Sequence, residues 1–180
     1  MSGLTTSLFG QPRLRWIAVL TGLALSSSAL AANAVVGRQS GDTVRARVVE
    51  LVNDARSHSR KCGSTRYASA APLSASRKLD DAAAGHARDM ARKRFFDHRG
   101  ADGSQPKDRV IRAGYQPRLT GENIAFGPES AEEVVAGWLA SPGHCANLMN
   151  PDVREMGIAY AFEASSPKGT YWAQVFATRR

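Results

Sequence analysis

Cysteine is scarce in this chain: Cys62 and Cys145 are the only two among 180 residues. So few cannot staple a fold together, and at this length none are needed, because one domain of this size closes its own core. Apolar runs are scarce too. The single candidate, WIAVLTGLAL, falls short of the roughly 20 residues that span a bilayer, and no second run follows it. Arg13 and Arg15 precede it, and small residues follow, with exits at Ala29-Leu30-Ala31 or Ala32-Asn33-Ala34. That three-part layout is a secretory signal peptide. Residues 1–34 are therefore expected to be a cleaved leader, 35–41 a loose lead-in and 42–180 the folded domain, secreted or periplasmic. No cysteine sits near the exit, which argues against a lipid-modified N-terminus. No apolar stretch precedes Arg180, so no C-terminal anchor and no transmembrane segment is expected once the leader is gone.

Acids are outnumbered, 16 against 24 lysines and arginines, for a net charge of +8, or +6 without the leader. Outside the cytoplasm that charge meets anionic envelope polymers and lipid headgroups rather than nucleic acid, and it bears on solubility and attraction, not on fold. An oxidising compartment also permits Cys62 and Cys145 to pair. Two catalytic signatures are missing, the G-x-S-x-G elbow of serine hydrolases and the HExxH of many zinc proteases. Internal repeats are absent as well.

Helical periodicity comes first along the chain. Asp42 is a plausible N-cap, followed by Val44, Val48, Leu51, Val52 and Ala55 on one face. CGSTRYASAAP reads as a loop. A second helix is expected over about 76–94, with Leu79, Ala83, His86, Ala87 and Met90 inward. A short helix in SQPKDRVIRAGY would bury Val110 and Ile111. Ser130 and Glu133 stand at capping-box spacing before Val134, Val135, Trp138 and Leu139. Ser141 then caps a further helix with Pro142 at its first position. The period changes in MGIAYAFE and TYWAQVFA, which alternate as a β-hairpin. Helices followed by antiparallel strands make an α+β domain with helices on a sheet.

Four histidines carry the chemical possibilities. His58 lies in the polar tail of the first helix and reads as solvated. His86, between Leu79 and Met90, reads as a core histidine. His98 ends FFDH at a helix-to-loop transition, where a side chain can face a cleft. His144 adjoins Cys145 in SPGHCANLMN, but neighbours on a helix diverge by about 100°, which argues against a histidine–thiol catalytic pair. Glu122 in TGENIAFG adds a carboxylate. From spacing alone, His98, His144 and Glu122 could build an open Zn²⁺ site that polarises a bound water or carbonyl.

Four segments, HARDMARKRFFDH, GYQPRLTGENIA, VVAGWLASPGHCANLMNP and MGIAYA…YWAQVFA, in this order and spacing closely resemble the CAP superfamily. It comprises cysteine-rich secretory proteins, antigen 5 and pathogenesis-related proteins, here in its bacterial secreted form. The resemblance covers about residues 44–178. It implies an α-β-α sandwich with a central antiparallel sheet. It also implies a cavity where two histidines and two glutamates can hold a divalent metal through the imidazoles, matched here by His98, Glu122 and His144. The second glutamate, three residues after a tryptophan, corresponds to Ser141 after Trp138, so the set is reduced to three. Gln174 and Tyr160 are expected to line the cavity or satisfy buried partners, and Asn147 to bond the backbone or hold His144. The resemblance offers sterol or lipid binding, metal-dependent glycan binding and proteolysis as activities. The reading that follows is a binding or effector module for a divalent metal, an anionic envelope polymer or a small lipophilic ligand. The alternatives are a zinc-assisted hydrolase of peptide or glycan with Glu122 as general base, and a structural envelope protein held by its disulfide.

Overall fold

The computed structural model describes the backbone over residues 26–166 and 169–180, and side chains from residue 41 onward. Residues 1–25 of the expected leader lie outside the described residues, as do Pro167 and Lys168 of the hairpin turn. Residues Val36–Arg180 form one compact unit. The strictly alternating C-terminal segments pair as expected: β5 (Glu155–Phe162) runs antiparallel to β6 (Thr170–Arg179). On the other side of β6 lies β4 (Pro117–Phe126), also antiparallel. The strand β3 (Ser74–Ala75) extends the sheet beyond β5 in parallel, giving the order β3-β5-β6-β4. The sheet is thus antiparallel except at this two-residue edge.

Period-2 alternation sorts the residues of β6 to two faces. Trp172 and Phe176 pack with Val48 and Val52 of α1 (Ser26–Ser57), Val134, Val135 and Trp138 of α4 (Ala131–Ala140) and Leu148 of α5 (Pro142–Met149). Tyr171, Ala173, Val175 and Ala177 face α2 (Arg77–Lys93) and Val110 of α3 (Pro106–Arg112). Helices therefore cover both faces of the sheet, and the α+β sandwich is the fold. Small residues set the α2 side. A Cβ at Gly157 would lie 2.1 Å from the Leu79 carbonyl carbon and 2.2 Å from the Asp80 nitrogen. At the same crossing Asp80 Oδ1 accepts the Ile158 N–H at 3.0 Å.

Several local expectations are corrected. α1 does not start at Asp42 but runs through the lead-in from Ser26. The Ala-rich 26–34 stretch favours helix, and the Asp42 carboxylate pairs with Arg45 and Arg77 instead of capping. The loop after α1 contains a small hairpin, β1 (Arg60–Cys62) with β2 (Thr65–Tyr67), turning at Gly63 with φ +60°. Ile111 is 51% exposed, because one residue on from buried Val110 the short helix has turned away from the core. Ser130 Oγ accepts the Glu133 N–H at 3.1 Å, yet Glu133 answers to Glu129 rather than to Ser130. The reciprocal capping box sits instead at Gln105 and Asp108, ahead of α3.

Candidate functional site

Strand β4 is the sheet edge that organises the polar residues. Glu122 points to the α2/α3 side, and Asn123, one residue on, to the α4/α5 side. Glu122 has a side chain only 1% exposed. Each of its carboxylate oxygens is engaged. Oε1 meets His98 Nδ1 at 2.8 Å, and Oε2 accepts from Arg109 Nη2 at 2.7 Å. His86 Nε2 stands 3.9 Å from the same Oε1. A buried carboxylate is tolerated when paired and hydrogen-bonded in this way.

Arg109, which sequence reasoning placed on no site, holds the arrangement together. Its guanidinium also donates to the carbonyls of Ser104 and His98, both at 2.9 Å. It thereby ties the 97–105 loop, and His98 with it, to β4. The only sequence signal was a charged residue directly before the buried Val110, and such a residue usually reads as a solvated face.

The histidines differ in environment. His98 has a side chain 49% exposed. The Glu122 carboxylate on its Nδ1 raises its pKa above the usual imidazole value, and Nε2 makes no hydrogen bond among the described residues. His144, half-buried in the first turn of α5, is pushed the other way by desolvation, and the nearby charge of His98 adds to that. His144 makes no side-chain hydrogen bond among the described residues, but its backbone is fixed. Asn123 Nδ2 donates to the His144 carbonyl at 3.2 Å, and Asn147 Nδ2 donates to Asn123 Oδ1 at 2.9 Å and to the Glu122 carbonyl at 3.2 Å. Asn147 thus locks α5 to β4, and of its two expected roles it is the backbone bond that is seen.

Of the two roles expected for Gln174, cavity wall or partner of a buried group, it takes the second. It is fully buried, and its Oε1 accepts from Asn123 Nδ2 at 3.3 Å, so it completes the amide network under α5 rather than facing an opening. Tyr160, 39% exposed, stacks on Trp172 at 4.8 Å, on the far side of β6 from β4. Trp138 Nε1 donates to the Ile124 carbonyl at 3.1 Å, a core role. His86 is also core. Burial lowers its pKa, its Nε2 donates to the Asp97 carbonyl at 2.9 Å, and Nδ1 has no protein partner. His58 is exposed at the helix end.

Cys62 and Cys145 are joined, with Cα atoms 5.5 Å apart, which leaves no thiol beside His144. The bridge fastens α5 to the β1–β2 hairpin. Arg56, fully buried, fastens its other end by donating to the carbonyls of Leu148 at 2.6 Å and Asn150 at 3.0 Å. A cation on the last carbonyls of a helix is favourable both as hydrogen-bond donor and against the dipole.

As a metal site the residues offer two imidazoles. His98 has the form in which ligating histidines are commonly held, one ring nitrogen on a carboxylate and the other free. Glu122 is not an open third ligand, since its side chain is buried and already bonded to His98 and Arg109. Among the described residues no three of His, Cys, Asp or Glu assemble into a set that could hold a metal ion. An ion here would draw on His98 and His144, with water or ligand completing its shell. His98 and Glu122 border a groove of about 420 Å³, with Lys107, Arg118 and Thr120 among its other lining residues. His144 does not line it. No described helix is long and apolar enough to cross a membrane.

Several known proteins are similar to this chain. The Bacillus subtilis protein YkwD is 34% identical over 105 residues, covering 58% of this chain and 39% of YkwD. The B. subtilis membrane protein YlbC is 33% identical over 78 residues, 43% of this chain and 22% of YlbC. The chain thus spans well under half the length of either relative. Among solved structures, an extracellular protein containing an SCP domain from Bacillus anthracis superposes with TM-score 0.65 at 26% identity, covering 79% of this chain and 42% of that one. An outer surface protein of Borrelia burgdorferi gives 0.55 at 26% identity, covering 60% and 78%. Residues 49–176 match the cysteine-rich secretory protein family, whose domain is called CAP. With the sandwich and the family match in agreement, this chain belongs to the CAP family.

Proposed function

We propose that this protein is a binding domain working outside the cytoplasm, whose His98/Glu122 groove accepts a small envelope-derived ligand. His98 and His144 would recruit a divalent ion such as Zn²⁺ beside it. The observation that carries this reading is the state of Glu122. A general base must lie within reach of the proton it takes, and the Glu122 side chain is only 1% exposed, packed under His98 and Arg109. That favours binding over zinc-assisted hydrolysis of peptide or glycan. Bound metal would supply Lewis acidity, while the chain's own residues orient His98 and fix the backbone of His144.

Calorimetry with Zn²⁺ is the test, run on wild type and His144→Ala. Wild type should give weak heats that shrink as pH falls, because both imidazoles must be neutral to donate. His98, whose proton Glu122 holds more tightly, should begin to release metal above the ordinary value of about 6.5. Equal heats from the two proteins would sink the metal reading. Incubation with cell-wall polymers, with and without chelator, should release no product; chelator-sensitive release would favour the hydrolase.

Export rests on the leader pattern and on relatives described as extracellular or outer-surface proteins. The mature chain should begin at Ala32 or Val35. N-terminal sequencing of exported protein that finds residues 1–30 still attached would refute it.

A further inference from the structure

We propose that the groove beside His98 recognises a phosphate ester of an envelope polymer, gripped from two sides by Lys107 and Arg118. This rests on the reading of the groove as a ligand site and names the chemistry it takes. The two cations come from different elements, Lys107 from the first turn of α3 and Arg118 from β4, and both side chains line the same recess. Both residues are exposed. Neither makes an ion pair or a side-chain hydrogen bond among the described residues, whereas the neighbouring Arg112 is tied to Asp102 at 2.8 Å and Arg179 to Glu155 at 2.8 Å.

The acid in the groove does not cancel them. Glu122 is already neutralised by Arg109 at 2.7 Å and bonded to His98 at 2.8 Å, so the field in the recess is positive. Asp108, the acid next to Lys107, is turned back to accept the Gln105 N–H at 2.9 Å. An ammonium acts on an oxyanion as a point charge, and a guanidinium as a planar fork that binds two oxygens at once. Together they suit a tetrahedral group with several terminal oxygens better than a carboxylate with two. The recess is shallow, with Leu119 and Pro106 as its apolar members. Its volume of about 420 Å³ suits one group projecting from a polymer.

The probe is glycerol 3-phosphate, titrated into the disulfide-intact mature domain at low ionic strength, with acetate as the carboxylate control. Vesicles of phosphatidylglycerol and of phosphatidylcholine test the bilayer alternative. Wild type should bind glycerol 3-phosphate in preference to acetate, and more weakly as salt screens the attraction. The Lys107→Ala/Arg118→Ala variant should bind it at least about tenfold more weakly, with both charge-assisted contacts gone. Its melting temperature should be unchanged, since both side chains are exposed. Zn²⁺ heats at His98 and His144 should survive in this variant, so failure of the metal reading and failure of this proposal are read separately. Undiminished phosphate binding in the double variant, acetate binding as tightly, or retention only on phosphatidylglycerol vesicles would each overturn it.

Discussion

The two histidines that meet Glu122, His86 and His98, differ in protonation because each meets a different balance of burial and charge. His86 is buried and neutral by desolvation, whereas His98 is half in solvent and held toward its charged form by the carboxylate. These have opposite consequences for stability. A depressed folded pKa means that the unfolded chain binds more protons as pH falls below about 6.5, so His86 makes the fold lose stability toward acid. The raised pKa of His98 adds stability that is fully present below about 6.5 and is lost as pH climbs through its folded value. Urea denaturation of wild type and His86→Gln at pH 7.5 and pH 5.5 separates the two. Wild type should lose more stability on acidification than the variant, and equal losses would mean that His86 is not the group that must charge. The sequence made His86, His98 and Glu122 legible because an apolar face and a motif marked them. Arg109 and Arg56 were not, because a buried arginine differs from a solvated one only in the partners that reach it from elsewhere in the chain. For Arg56 those are the carbonyls of Leu148 and Asn150, more than 90 positions away.

At the scale of elements, α2 can cross the sheet closely because the facing strand positions are nearly bare. Gly157, Ala159, Ala173 and Ala177 present little bulk, and α2 answers with Ala82, Ala83 and Ala87. Gly157→Ala should therefore behave as overpacking rather than as a gain in strand propensity. The new methyl would sit 2.1 to 2.2 Å from backbone atoms of α2, which cannot move aside as a flexible side chain can. A cost of at least about 3 kcal/mol is expected, at the upper end for inserted carbons, seen as a lower urea midpoint at unchanged slope. A midpoint equal to wild type would mean that the helix stands further off. The strands and α2 were readable from periodicity because each is long enough to repeat its pattern. The β1–β2 hairpin and β3 have two or three residues each, too short for alternation to register, and their pairing is fixed by tertiary contacts. The role of Gln174 stayed open between cavity wall and buried partner for a related reason. Its strand was right, but the face it shares with Asn123 is roofed by α5, and no pattern within the strand announces that roof.

Across the whole molecule, the Cys62–Cys145 bridge closes 83 residues of chain and joins the hairpin after α1 to the helix that carries His144. By the chain-entropy argument a loop of that length restricts the unfolded state by roughly 4 kcal/mol, an upper figure because native strain and residual structure subtract from it. The bridge is one of three ties on α5. Asn123 and Asn147 fix the start of the helix to β4, and Arg56 holds its last carbonyls. Removing the bridge should therefore cost global stability more than local geometry. The Cys62→Ala/Cys145→Ala variant, which leaves no stray thiol, should melt roughly 10 °C lower, from about 2–4 kcal/mol lost in a domain of this size. Its Zn²⁺ heats at pH 7.5 and 25 °C should stay close to those of the bridged protein, because the His144 backbone keeps its remaining anchors. Scanning calorimetry and Zn²⁺ titration on the same preparation check both halves. A variant that stays folded but has lost its Zn²⁺ heats would show that the disulfide, and not the amide network under α5, sets the position of His144.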